Sequence, residues 1–260
     1  MTPDTRNTPQ RPTVVITGAA SGIGQATAVI FAQRGYAVLG CDLDRQGLEA
    51  TAARVQPYST FQSVTTDVTD EEQVSALFSE ARQRFTHLSA VVSCAGVART
   101  GKVHEAPRRD WDMQIAVNLT GTYLLSKYAM QTFIEQQAGA FVAVSSDAGV
   151  RGASGYAAYC ASKHGVIGLV RCLALDYGQQ GIRANAVCPG FVQTPMMDEL
   201  FSASADPQAE MQAYMKEVPN GRFADPLEVG KAIFHLCSED ASYTNGAVYN
   251  IDGGVTAGHL

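Results

Sequence analysis

The chain has 260 residues, 46% of them hydrophobic and 17% charged, with 24 glycines, which fits a globular α/β protein and excludes disordered, collagen-like and disulfide-stapled classes. Nineteen Lys and Arg against 25 Asp and Glu leave a net charge of −6, the wrong sign for holding nucleic acid or an acidic membrane through released counterions. At this length a core needs neither metal nor cross-link; the six cysteines show no zinc-type spacing, and no run reaches the roughly 18 apolar residues of a membrane span.

Residues 1–12 are polar, with three prolines and two arginines, and lack the apolar stretch of a secretory signal. A flexible N-terminal segment, a single domain over 13–260 and a cytoplasmic location with reduced thiols are therefore expected. In chain order, strands are predicted at 14–17, 37–41, 61–65, 88–93, 140–145, 184–187 and 247–251, and helices at 23–34, 45–54, 71–85, 111–136, 156–177 and 226–237. Strand and helix alternate, and several strands are apolar almost throughout, such as Val14, Val15, Ile16 and Phe141, Val142, Ala143, Val144. The expected fold is α/β: a doubly wound parallel sheet of about seven strands with helices on both faces. Residues 190–220 are the least regular stretch, and their length suggests a substrate lid or a surface insertion.

Directly after the first strand come Gly18, Ser21, Gly22, Ile23 and Gly24, opening a helix. Glycines at such a turn let backbone approach a pyrophosphate, and the helix start offers free N–H groups and a positive dipole end. Asp42 follows the second strand, eighteen residues beyond Gly24, where an acid either hydrogen-bonds an adenosine ribose or caps the next helix. A 2′-phosphate there would meet a like charge, so Asp42 points to NAD rather than NADP. Tyr159 and Lys163 lie four apart on one helix, so a lysine cation stands beside a tyrosine that is otherwise only about 0.1% ionised at neutral pH.

Taken together, the glycine turn, Asp42, Asp67 with Val68, Asn118, Ser146, Tyr159 with Lys163, and Pro189 with Gly190 resemble the short-chain dehydrogenase/reductase family over essentially residues 13–254. The resemblance implies that Tyr159 is the general acid/base, Lys163 lowers its pKa and holds the nicotinamide ribose, Ser146 binds the substrate oxygen, and Asn118 supports a relay water. It further implies that Asp67 and Val68 border the adenine, that Ala95 and Gly96 face the cofactor, and that Pro189, Gly190, Val192 and Thr194 cover the nicotinamide. Ser145 neighbours Ser146 on one strand end, and alternation allows only one of them into the cleft. Where the family reads Asn, Ala, Gly, this chain has Cys94, Ala95 and Gly96, which puts local rigidity in question.

The implied reaction is NAD-dependent, metal-free oxidation of a secondary alcohol, sugar-like or cyclic, to a ketone. The alternatives are an NADPH-dependent ketone or 3-oxoacyl-thioester reductase, and a non-catalytic dinucleotide-binding protein. Tyr156, Arg151 and Met196 are candidate substrate contacts, with Arg99 and Arg151 either pairing with an anionic substrate or merely solvated, and Met196 and Met197 either lid or core. A homotetramer or dimer is expected, built on the 111–136 and 156–177 helices through residues such as Tyr123, Leu124, Tyr128, Ile167, Leu169 and Leu173.

Overall fold

A computed structural model describes residues 11–202 and 206–258. The expected flexible segment 1–12 lies outside the described residues except for Arg11 and Pro12. Seven parallel strands form one sheet in the order β3-β2-β1-β4-β5-β6-β7: β1 Thr13–Thr17, β2 Ala37–Asp42, β3 Phe61–Thr65, β4 Leu88–Ser93, β5 Gly139–Val144, β6 Ile182–Pro189 and β7 Val248–Ile251. The strand order reverses between β1 and β4, so the crossovers leave in opposite directions there and open a crevice beyond the carboxyl ends of the strands.

Both faces of the sheet are covered. The period of two in β1 sends Val14 and Ile16 to one apolar cluster with Phe31, Leu48, Ile233 and Leu236, and Val15 to another with Leu77, Phe78, Phe133 and Ile167. The first layer comprises α1 Gly22–Gln33, α2 Arg45–Val55 and α9 Pro226–Cys237; the second, α3 Glu71–Arg84, α5 Gly121–Gln136 and α6 Ala157–Tyr177. Phe31 is fully buried, with Tyr36 and Phe234 edge-on at 5.1 and 5.2 Å. Truncating such a ring costs about 3–5 kcal/mol.

The predicted 111–136 helix differs from the observed one. It starts earlier, as α4 Arg108–Gln114 behind Pro107, and a π-helical segment, Ile115–Thr120, separates α4 from α5. The 190–220 stretch is also more regular than expected, holding α7 Pro195–Ser202 and α8 Pro207–Lys216, with residues 203–205 outside the description. Of the residues assigned to a subunit contact, Leu124, Ile167 and Leu173 belong instead to the chain's own core at 5–7% exposure.

Candidate active site

The crevice begins at the glycine turn. Gly18 and Gly22 have φ of +66° and +52°, conformations an L side chain rarely adopts. A Cβ on Gly18 would stand 2.7 Å from the Ala95 nitrogen, and one on Gly24 would run into the Gly18 carbonyl oxygen. Glycine is therefore required at both positions by the packing of the turn on its own backbone and on the residues that follow β4. With Ser21, Ile23, Asp42, Asp67, Val68, Ala95, Gly96 and Thr194 the turn lines a cleft of about 320 Å³.

Asp44, not Asp42, caps α2, accepting from the Gln46 and Gly47 N–H groups. Asp42 instead accepts from the Ala20 N–H at 3.1 Å and the Asp44 N–H at 3.1 Å, which fixes its carboxylate at the rim of the glycine turn. Asp67 is engaged locally, accepting from the N–H and hydroxyl of Thr69. The backbone beside Cys94 is not left loose: Thr17 Oγ1 accepts from the Cys94 and Ala95 N–H groups at 3.1 and 3.2 Å. Thr17 was not legible as a site residue, because its role depends on strand pairing between β1 and β4.

A second cavity of about 410 Å³ contains Ser146, Tyr159 and Lys163 together with Pro189, Gly190 and Val192. It joins the first through Ile23, Cys94, Gly96, Thr194 and Met196, which line both. Ser145 is turned inward, donating to the Lys163 carbonyl at 2.9 Å, whereas the Ser146 hydroxyl donates to Asp147 Oδ1 at 2.9 Å and accepts from the Ala148 N–H at 3.2 Å. Burial pushes Tyr159 up to about 12; its side-chain hydrogen bond with Ser146 pulls it down, and the Asp147 carboxylate pushes it up. The Lys163 ammonium lies 5.6 Å from the Tyr159 ring centre and donates to the Val144 carbonyl at 2.8 Å. Burial lowers Lys163 itself to about 8. Desolvation thus sets the direction of the Tyr159 shift in this structure.

Asn118 lies on the π-helical segment, 1% exposed, and grips one residue: its Oδ1 accepts from the Val97 N–H at 2.8 Å and its Nδ2 donates to the Val97 carbonyl at 2.9 Å. Nδ2 also donates to Ser162 Oγ at 3.0 Å, tying β4's exit to α6. Tyr156 places its hydroxyl 3.4 Å from that of Tyr214 on α8. Arg151 pairs with Asp147, and Arg99 with Glu199 at 3.4 Å, so neither is simply solvated. Met197 packs against Phe201, Val218 and Phe223 and also lines the cavity, as do Phe191, Leu200, Tyr214 and Glu217, which were not foreseen.

A family model described as enoyl-(acyl carrier protein) reductase matches residues 18–256. A 3-oxoacyl-[acyl-carrier-protein] reductase of Thermotoga maritima is 36% identical, covering 93% of this chain and 96% of its own. The cis-4-hydroxycyclohexanecarboxylate dehydrogenase of Sinomonas cyclohexanicum is 41% identical over 94% of this chain and 96% of its own. The crystal structure of levodione reductase superposes with a TM-score of 0.92 at 32% identity, covering 96% of this chain and 98% of that one. Fold, site and these likenesses define an NAD(P)-dependent oxidoreductase acting on CH–OH groups. The chain belongs to the short-chain dehydrogenase/reductase family. Its residues fit the dinucleotide such enzymes use, because the N-terminus of α1 opens onto the glycine-lined cleft with no side-chain cap on its N–H groups.

Proposed function

We propose that the protein oxidises a secondary alcohol, cyclic or sugar-like, to a ketone, with NAD as cofactor and Tyr159 as general base. The observation that carries the reading is the gathering of Ser146, Tyr159 and Lys163 in one cavity that opens into the glycine-lined cleft. Gly18, Ser21, Gly22, Ile23, Gly24, Asp42, Asp67, Val68, Ala95, Gly96, Pro189, Gly190, Val192 and Thr194 would hold the dinucleotide. Bound there, the oxidised nicotinamide supplies a hydride acceptor and a positive charge.

The substrate oxygen sits between the Ser146 and Tyr159 hydroxyls. Tyr159, as phenolate, takes the hydroxyl proton, and the Lys163 ammonium favours that phenolate. Ser146 steadies the charge that develops on the oxygen. Asn118 orients the strand exit at Val97 and supports a relay water, while Met196 closes the cavity over the reacting carbon.

Asp42 supports NAD, since its carboxylate, fixed by two N–H groups, would meet a 2′-phosphate as a like charge. One observation favours the reductive, NADPH-dependent reading: Arg45 Nε lies 3.1 Å from Thr65 Oγ1, so a cation stands near the same rim. Initial rates with NAD and NADP over neutral, sugar-like, steroid-like and anionic secondary alcohols separate the readings. NAD turnover that disappears in Tyr159→Phe, with NAD binding retained, is expected; turnover surviving in that variant overturns the assignment. Asp42→Ala is expected to raise the NADP to NAD ratio of kcat/KM about tenfold.

The six cysteines are all free, which suits a reducing compartment such as the cytoplasm. A homotetramer or dimer is supported by apolar side chains left at the surface, Leu175 at 83% and Tyr123 at 49% exposure on α6 and α5.

A further inference from the structure

Arg151 is the cation most available in sequence to an anionic substrate, yet it is already occupied. Its Nε and Nη2 donate to one oxygen of Asp147, Oδ2, at 3.1 and 2.8 Å, and Nη2 stands 3.9 Å from Glu217 Oε2 at the end of α8. Asp147 is 8% exposed, and its other oxygen accepts the Ser146 hydroxyl. Asp147, Arg151, Glu217 and Lys163 are the charged residues that line the cavity, and Lys163 is committed to the Val144 carbonyl and the Tyr159 end. Two carboxylates thus flank one guanidinium, among walls that include Val144, Phe191, Val192, Met196 and Leu200 and so weaken dielectric screening.

We propose that Asp147 is the specificity-determining residue of this cavity: by holding Arg151, it makes the site accept uncharged hydroxylated substrates and turn away alcohols that carry an anionic group. The proposal rests on the reading of the site as a secondary-alcohol dehydrogenase. An incoming carboxylate either draws Arg151 from Asp147, leaving a buried carboxylate without its partner, or settles beside two like charges. A neutral polyol meets acceptors on Asp147 and Glu217 and displaces nothing. Glu217, 57% exposed, is screened by water, so the discrimination falls mainly on Asp147. Substrate charge is accordingly where this chain parts from the Sinomonas cyclohexanicum relative, whose name specifies a carboxylated alcohol.

Asp147→Asn removes the charge and keeps an oxygen for the Ser146 hydroxyl. Binding of cyclohexanol and cyclohexanecarboxylate to the NAD-saturated protein, followed by ligand-observed NMR, reads the charge order; rates on 1,4-cyclohexanediol and 4-hydroxycyclohexanecarboxylate read the chemistry. The wild type is expected to favour the neutral compound by about tenfold or more, and Asp147→Asn to move the ratio toward the carboxylate by a similar factor. Lys216→Gln, at an exposed residue lining the adjoining cavity of about 570 Å³, is expected to leave the order unchanged. Wild-type preference for the carboxylate, lost in Arg151→Ala, overturns the proposal, as does an unaltered order in Asp147→Asn. Should that variant fail to fold, the wild-type order alone decides. A neutral preference in binding without oxidation of either alcohol overturns the dehydrogenase reading and leaves the charge selection standing.

Discussion

A buried ammonium such as that of Lys163, 4% exposed, is costly to keep charged, and the cost depends on pH in a calculable way. Its pKa falls from 10.5 to about 8, so between those values the unfolded chain holds more protons than the folded one, and stability from this group rises with pH across that window. Lys163→Met has no such slope. From pH 7.5 to 10.5 the stability difference is expected to shift toward the wild type by about 2–3 kcal/mol, read from urea melts; a flat difference would show that this lysine does not titrate there. Tyr159 acts with opposite sign, retaining its proton in the folded chain between pH 10 and about 12, where stability falls. The placement of Tyr159 beside Lys163 and of Asp42 at the rim of the glycine turn was legible because helix spacing and distance from a glycine turn are written in sequence. The hold of Asp147 on Arg151 was not, since it depends on how two side chains fold back over one short turn.

Among the elements, the π-helical segment contributes most to the site. One widened turn carries Asn118 inward and lets its amide clasp both polar groups of Val97. Asn118→Ala leaves those groups and Ser162 to find other partners, so a loss of about 1–3 kcal/mol in thermal or urea unfolding and a raised KM for the dinucleotide are expected. Unchanged stability would mean the clasp is dispensable. The irregular turn escaped a reading based on uniform helical period. Helices α7 and α8 escaped for another reason: Pro195 and Pro207 read as breakers, yet both occupy the first position of a helix, where no backbone N–H is needed, and Asp206 caps α8 by accepting from the Ala209 N–H.

For the whole molecule, sheet topology follows from the alternation of short apolar runs and helical stretches, and only strand ends moved by a residue or two. Assembly is less legible, because Leu124 and Leu175 look alike in sequence, while one is core and the other 83% exposed. Gly168 offers a test on α6: it is exposed, and a Cβ there meets nothing within 4 Å in the chain. In an isolated subunit Gly168→Ala gains about 1 kcal/mol of helix stability. If the α6 face packs on a second copy, the added methyl weakens association instead, so light scattering and melting together are expected to show a smaller assembly with no gain in melting temperature.

The strand order also sets a timetable for synthesis. The glycine turn, Asp42, Asp67 and Gly96 belong to the first four strands, which are mutual neighbours in the sheet, whereas Ser146, Tyr159 and Lys163 come later and build outward along β5, β6 and β7. At about 5–20 residues per second, the 67 residues from Gly96 to Lys163 take roughly 3–13 s to translate. During that interval a nascent chain able to form the nucleotide cleft has β4 as an open edge, and Phe31 waits for Phe234 of α9 to cover it. A ligand that holds the nascent cleft would stabilise that stage by mass action, before β5, β6 and β7 are in place.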